Sequence, residues 1–325
     1  MFLNIVLLVG GLALILVGAN ALTDGASALA KRWGVSDMVV GLTVVAFGTS
    51  APELTISVVS AIQGNAGLAV GNVVGSNIFN ILVIIGVVAM FRPIKVERSI
   101  LNNEIPLVVL SSLALLAIGC APQLGAPGEA IVSRADGILL LLFFLIFLRY
   151  TFSQAKRPQE NSSQEGEAAQ EVPEMKLWKA ILWVALGLAA LIYGGDIFVD
   201  GASGIAKGLG VSDAVIGLTI VAAGTSLPEL AASLTAALKG KTGIALGNVI
   251  GSNIFNAFMV LGAAATIHPL PFGDIGPFDL LTLTAASVLF WVFGTFFRTR
   301  EITRAEGALL FAGYVGYIAY LLLSL

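Results

Sequence analysis

Charge is the scarcest property of this 325-residue chain: Asp, Glu, Lys and Arg together make up 11% of it. A single cysteine, Cys120, excludes an internal disulfide and leaves the redox compartment unread. A single histidine, His268, excludes in practice a zinc centre built of His and Cys. A net charge of −3 provides no basic surface for nucleic acid. The N-terminus, MFLNIVLLVGG, lacks a basic leader, so it reads as a permanent span and not as a cleaved signal.

What the chain does have is apolar length, with 57% hydrophobic residues. Runs long enough to cross a bilayer recur at 3–24, 36–62, 68–91, 103–120, 133–150, 177–198, 212–238, 244–266, 279–297 and 304–324. Lipid offers no partner to an unpaired backbone group, so such spans must be helical. The expected fold is therefore an all-α membrane protein of ten transmembrane helices. With the N-terminus outside, all but Arg134 and Lys207 of the 17 basic residues fall in cytoplasmic loops. That asymmetry places both termini outside and the protein in the cell membrane, a bacterial inner membrane being the expected one. The polar stretch 151–176, rich in Glu, Gln and Ser, reads as a cytoplasmic linker between residues 1–150 and 177–325.

Those two parts repeat each other. GLTVVAFGTSAPEL at 41–54 returns as GLTIVAAGTSLPEL at 217–230, and GNVVGSNIFN at 71–80 returns as GNVIGSNIFN at 247–256. GVSD and DGAS recur at the same offset of 176 residues. Each copy holds five spans, an odd number, so the second enters from the opposite side. The expectation is a pair of five-helix inverted-topology repeats, with a substrate site near the midplane where helices are interrupted by Gly and Pro.

The repeated segments supply such interruptions. Pro52 has no N–H, which frees the Gly48 carbonyl one turn earlier; Pro228 does the same for Gly224. Thr49, Ser50 and Glu53 share one helical face, as do Thr225, Ser226 and Glu229. Glu53 and Glu229 are the acidic residues placed well inside predicted spans, where a charge costs about 2.5–3.5 kcal/mol on insertion scales. No Lys or Arg lies deep enough in the sequence to neutralise them, so protons or mobile cations must. Asn72, Ser76 and Asn80 make a polar stripe at four-residue spacing, and Asn248, Ser252 and Asn256 repeat it. Carboxylate, amide, hydroxyl and carbonyl oxygens with no sulfur or imidazole suit hard cations: Ca²⁺, Na⁺ or, less well, Mg²⁺. Asn77 and Asn253 sit one position off the stripe and read as interhelical hydrogen-bonding groups. Asp37 and Asp213 read as N-terminal helix charges after a serine.

GTSxPEL followed by GNxxGSNIFN, present twice, resembles the cation/Ca²⁺ antiporter superfamily and most of all its bacterial sodium/calcium exchanger branch. The resemblance covers essentially all ten spans. It implies that Glu53 and Glu229 are the central calcium ligands. It further implies that Thr49, Ser50, Thr225, Ser226, Ser76 and Ser252, with the carbonyls of Ala46 and Ala222, line the calcium and sodium positions. By the same resemblance Asn80 and Asn256 sit at the centre. Many relatives carry Asp at one of those two positions, and the potassium-dependent exchangers resemble that pattern; Asn at both counts against potassium dependence. The proton-coupled branch usually reads GNxxE where this chain reads GTSxPE.

The resulting expectation is an antiporter exchanging Na⁺ for Ca²⁺ by alternating access, with H⁺/Ca²⁺ exchange on the same glutamates as the alternative. Its partners are inorganic cations and the lipid bilayer, and its oligomeric state is not legible. No cofactor is expected. Neither is an enzymatic activity: intramembrane proteases that pair acids use aspartates and need no duplicated symmetric site.

Overall fold

The computed structural model describes residues 2–125, 128–155, 175–209, 222–296 and 300–324, and almost all of them are helical. In chain order the helices are α1 (Phe2–Trp33), α2 (Asp37–Thr49), α3 (Ala51–Ile62), α4 (Ala66–Phe91), α5 (Arg98–Gly119), α6 (Arg134–Ala155) and α7 (Leu177–Gly208). There follow the short α8 (Ala222–Gly224), then α9 (Leu227–Leu238), α10 (Thr242–Ile267), α11 (Pro277–Phe296) and α12 (Arg304–Ser324). Among the described residues eight helices are long and apolar enough to cross a membrane, or nine if α2 and α3, bent by 45°, form one span. The chain is thus an all-helical, multi-pass membrane protein. The first part of the span expected at 212–238, with Asp213, and most of the linker expected at 151–176 lie outside the described residues.

Two spans run well past their apolar limits. α1 is expected to end near residue 24 and α7 near 198, yet each is 32 residues long. At 1.5 Å per residue that is about 48 Å, against a hydrocarbon core of roughly 30 Å. The reason is compositional. After Asp24 and Asp200 the chain turns polar, but GASALAK and GASGIAK remain rich in small residues that a helix accommodates.

Contacts divide the chain into two compact units, and each takes elements from both copies of the repeat. One comprises Met1–Thr49 with Ile146–Gly251; the other comprises Ser50–Leu145 with Ser252–Leu325.

In the first unit α1 and α7 pack against each other along their lengths. Glycines at seven-residue intervals make this possible: Gly11, Gly18 and Gly25 on α1, and their images Gly187, Gly194 and Gly201 on α7. A Cβ on Gly18 would meet the Gly187 carbonyl at 2.8 Å, and one on Gly187 would meet the Leu22 nitrogen at 2.6 Å. Close approach of backbones is what small residues provide where lipid removes the hydrophobic drive for helix association. The same device seats α2 against α10, where a Cβ on Gly247 would lie 2.6 Å from the Met38 carbonyl. Ser36 caps α2 by accepting from the Val39 N–H at 3.3 Å, as the serine before Asp37 predicts. α9 ends in a Schellman turn. Gly240 adopts φ 80°, its N–H donates to the Ala237 carbonyl at 3.0 Å, and that of Lys241 donates to Ala236 at 2.8 Å. From this turn Lys239 pairs with Asp24 at 2.7 Å and Lys241 with Asp37 at 3.7 Å.

The second unit packs α5 on α11 and α4 on α12. Gly86 and Gly307 permit the latter contact, since a Cβ on either would lie within 3 Å of the other's carbonyl. Two short antiparallel strand pairs, unforeseen in an all-helical reading, tie loops together: Ile94–Lys95 with Glu301–Ile302, and Ile131–Val132 with Leu270–Pro271. α3 ends in the same Schellman turn as α9, with Gly64 at φ 76° and the Asn65 N–H on the Ser60 carbonyl at 2.8 Å.

Candidate cation-binding site

Helix interruption occurs where the prolines demand it. Ser50, at φ −85° and ψ 9°, separates α2 from α3, and Pro52 enters the first turn of α3. Ser226, at φ −93° and ψ 6°, does the same before α9, with Pro228 in its first turn. A proline is tolerated there because the first N–H groups of a helix have no intrahelical partner. Gly48 and Gly224 flank the breaks. Each leaves room for a branched side chain of α7, Leu188 against Gly48 and Val199 against Gly224.

The second unit holds the first-copy glutamate. Glu53 is fully buried in the first turn of α3, and Ser76 Oγ on α4 donates to its Oε1 at 3.4 Å. Asn72 Nδ2 donates to the Glu53 carbonyl at 3.3 Å and to Ser57 Oγ at 3.0 Å, fastening α4 to α3. Asn80 stands at the start of a π-helical turn, Asn80–Ile85, and Asn256 lies within its counterpart, Phe255–Val260. Such turns widen a helix by one residue and recur at functional positions. Asn256 Nδ2 donates to Asn77 Oδ1 at 3.2 Å, and Asn77 Nδ2 donates to the Asn253 carbonyl at 3.2 Å.

The first unit holds the second-copy glutamate. Glu229, 1% exposed, opens α9. Asn248 Nδ2 donates to its carbonyl at 3.3 Å and to Ser233 Oγ at 2.9 Å, the same seam as in the first copy. Asn248 Oδ1 accepts from Thr49 Oγ1 at 3.0 Å, so a first-copy hydroxyl is tied into the second-copy seam. Thr49 Oγ1 also lies within 3.1 Å of the Val45 carbonyl and 3.4 Å of the Ala46 carbonyl.

Several buried polar atoms in these segments have no hydrogen-bond partner among the described residues: both amide atoms of Asn80, Asn256 Oδ1, Ser252 Oγ and Thr225 Oγ1. An orphaned buried acceptor costs about 1–3 kcal/mol and demands an explanation. A hard cation is one, since carbonyl and hydroxyl oxygens are its natural ligands. Among the described residues no cluster of three or more His, Cys, Asp or Glu could hold a metal.

The structure brings together Glu53 with Ser76 in one unit, and Glu229 with Thr49, through Asn248, in the other. Ser50, Ser226, Ser252 and Ala46 are buried near the breaks or the seam, and Thr225 is half-buried. For Ala222 only the backbone, the first residue of α8, is described. Ser57 and Ser233 escaped the sequence reading. Both lie four residues after a glutamate and 176 residues apart, so the repeat itself carried the signal. Asn72 and Asn248, read as part of the polar stripe, are engaged in fastening helices.

Comparison with known proteins identifies the family. The model of the sodium/calcium exchanger protein family matches residues 3–153 and 179–323. The chain is 40% identical to the putative antiporter CaxA of Alkalimonas amylolytica, over 97% of each chain. It is 32% identical to the sodium/calcium exchanger MaX1 of Methanosarcina acetivorans, over 98% of each. Among solved structures it superposes on the sodium-calcium exchanger NCX_Mj with a TM-score of 0.82 and 33% identity, covering 98% of both chains. On its sequence and on its helical architecture, this chain belongs to the sodium/calcium exchanger protein family, whose members are cation transporters of the membrane.

Proposed function

We propose that the protein is a secondary active antiporter that exchanges Na⁺ for Ca²⁺ by alternating access, with Glu53 and Glu229 as shared cation ligands. The observation that carries this reading is the set of buried, partnerless oxygens contributed by both copies of the repeat, on segments that each bury one glutamate, in a chain of this family. Two carboxylates balance the charge of one Ca²⁺ or of two Na⁺, so the two ions compete for one set of oxygens. Asn80, Asn256, Thr49, Ser50, Thr225, Ser226, Ser76 and Ser252, with the Ala46 and Ala222 carbonyls, complete the lining. The breaks at Pro52 and Pro228, flanked by Gly48 and Gly224, supply free carbonyls in place of a regular helix.

The architecture that goes with this reading is ten spans in two inverted five-helix repeats, 1–150 and 177–325, joined by a cytoplasmic linker at 151–176. Both termini lie outside, in a bacterial inner membrane. The 176-residue repeat, the basic-residue asymmetry and the family membership support it.

Flux measurements on the purified, reconstituted protein test the coupling. An imposed Na⁺ gradient drives ⁴⁵Ca²⁺ uptake in this account, and a pH gradient without Na⁺ does not. Calcium uptake driven by protons alone would transfer the same glutamates to H⁺/Ca²⁺ exchange. A calcium flux indifferent to trans Na⁺ would sink antiport of sodium altogether.

A further inference from the structure

Asn80 and Asn256 occupy matching positions of the repeat, yet their amides are held differently. Among the described residues Asn80 has no hydrogen-bond partner on either amide atom, and both atoms are buried. Asn256 is fixed through a relay. Asn77 Nδ2 lies 3.2 Å from the Asn253 carbonyl. That carbonyl can only accept, so the NH₂ of Asn77 must face it, and Oδ1 of Asn77 must face the other way. Oδ1 in turn lies 3.2 Å from Asn256 Nδ2. It also can only accept, so the NH₂ of Asn256 must face Asn77. One backbone carbonyl thereby sets two side-chain amides in series, and the end of the relay is Asn256 Oδ1, buried with no donor among the described residues. Asn77 and Asn256 are 2% and 0% exposed, so both bonds are shielded from bulk solvent.

We propose that Asn77 is a positioning residue for the cation site: through its relay to the Asn253 carbonyl it locks Asn256 into presenting an oxygen, and never its NH₂, to the transported cation. This rests on the reading of Asn256 as a ligand given above. An amide that rotated by half a turn would offer two N–H donors to a cation and be repelled. The lock removes that state at position 256 and leaves it open at Asn80. The two copies therefore contribute one pre-set amide oxygen and one that orients with the ion. Groups that orient a ligand typically account for 10–100-fold in metal affinity.

The test is a double-mutant cycle on the reconstituted full chain, reading the Ca²⁺ concentration for half-maximal Na⁺-dependent uptake. Asn77→Leu, close in size but unable to hydrogen-bond, raises that concentration about tenfold. Asn77→Ala is measured beside it, so that a folding failure of either side chain does not decide the matter. Asn256→Asp places an oxygen on both sides of the side chain, so orientation no longer matters. In that background a carboxylate oxygen faces Asn77 Oδ1, acceptor against acceptor, so Asn77→Leu raises the half-maximal concentration less than twofold or lowers it. A shift of equal size in both backgrounds would mean that Asn77 only packs, and an unchanged value in the Asn256 background would remove its role. Failure of the underlying reading looks different: Asn256→Ala would itself leave the half-maximal Ca²⁺ concentration unchanged.

Discussion

The stretch from Ser50 to Asn80 and its image from Ser226 to Asn256 start alike and finish differently. Both open on a serine of near-identical dihedral angles, then a proline, then a buried glutamate. In both, an asparagine ties the glutamate's carbonyl at 3.3 Å and a serine one turn further on at 2.9–3.0 Å. Divergence begins where the seam meets other elements. Asn248 is buried and also accepts from Thr49, whereas Asn72 is half-buried. Asn256 is locked by Asn77, whereas Asn80 is not. The turns that close α3 and α9 share one backbone geometry, but Gln63 and Asn65 stand where Lys239 and Lys241 make ion pairs. Local sequence thus reproduces local structure faithfully, and asymmetry enters through what packs across from each copy.

The largest expected effect tests whether the copies are equivalent in chemistry. If the proposed site holds, Glu53→Gln and Glu229→Gln each remove one of its two charges, and each should lower Na⁺-dependent ⁴⁵Ca²⁺ flux by roughly 100-fold or more, beyond the range for groups that merely orient a ligand. If one variant kept a tenth of the wild-type flux while the other lost it, the glutamates would not share their role.

A middle-sized effect separates the two seams. Asn72→Ala and Asn248→Ala each remove two hydrogen bonds, one to a glutamate carbonyl and one to a serine, and each should destabilise the purified protein by about 1–3 kcal/mol. Asn248→Ala should be the more damaging, since it also removes the bond to Thr49, whose hydroxyl is left to the Val45 and Ala46 carbonyls. Thermal unfolding in detergent ranks them, and equal losses would show that the Thr49 bond contributes nothing.

The smallest effect belongs to the turns. Lys239→Gln gives α9 the residue that α3 carries. Its ion pair with Asp24 is partly solvated, with side chains 27% and 42% exposed, so the loss should be under about 1 kcal/mol and shrink further with salt. A loss that persisted at high ionic strength would mean that the Lys239 stem packs and that its charge is incidental.

Much of this was legible in the sequence because it depends on local pattern. Apolar runs marked the spans, prolines marked the breaks, and the 176-residue offset paired Glu53 with Glu229. Other features depend on packing and left weaker traces. The π-helical turns at Asn80–Ile85 and Phe255–Val260 lie in apolar stretches whose composition fits an ordinary helix equally well. The extra turns of α1 and α7 lie beyond the hydropathy signal because helix formation does not require apolar residues. Asn72 and Asn248 shared a stripe with Ser76 and Ser252, and spacing alone could not say which would face a neighbouring helix. The relay through Asn77 was readable only as an interhelical bond; its direction required the Asn253 carbonyl.

Equilibrium binding of ⁴⁵Ca²⁺ to the purified protein, titrated with Na⁺, tests most directly the claim that one pair of glutamates serves both ions. Na⁺ should displace bound Ca²⁺ completely and cooperatively, since more than one Na⁺ is needed to balance two carboxylates, and Glu53→Gln and Glu229→Gln should each abolish the binding. Calcium binding that persisted at saturating Na⁺, or that survived either substitution, would contradict the account.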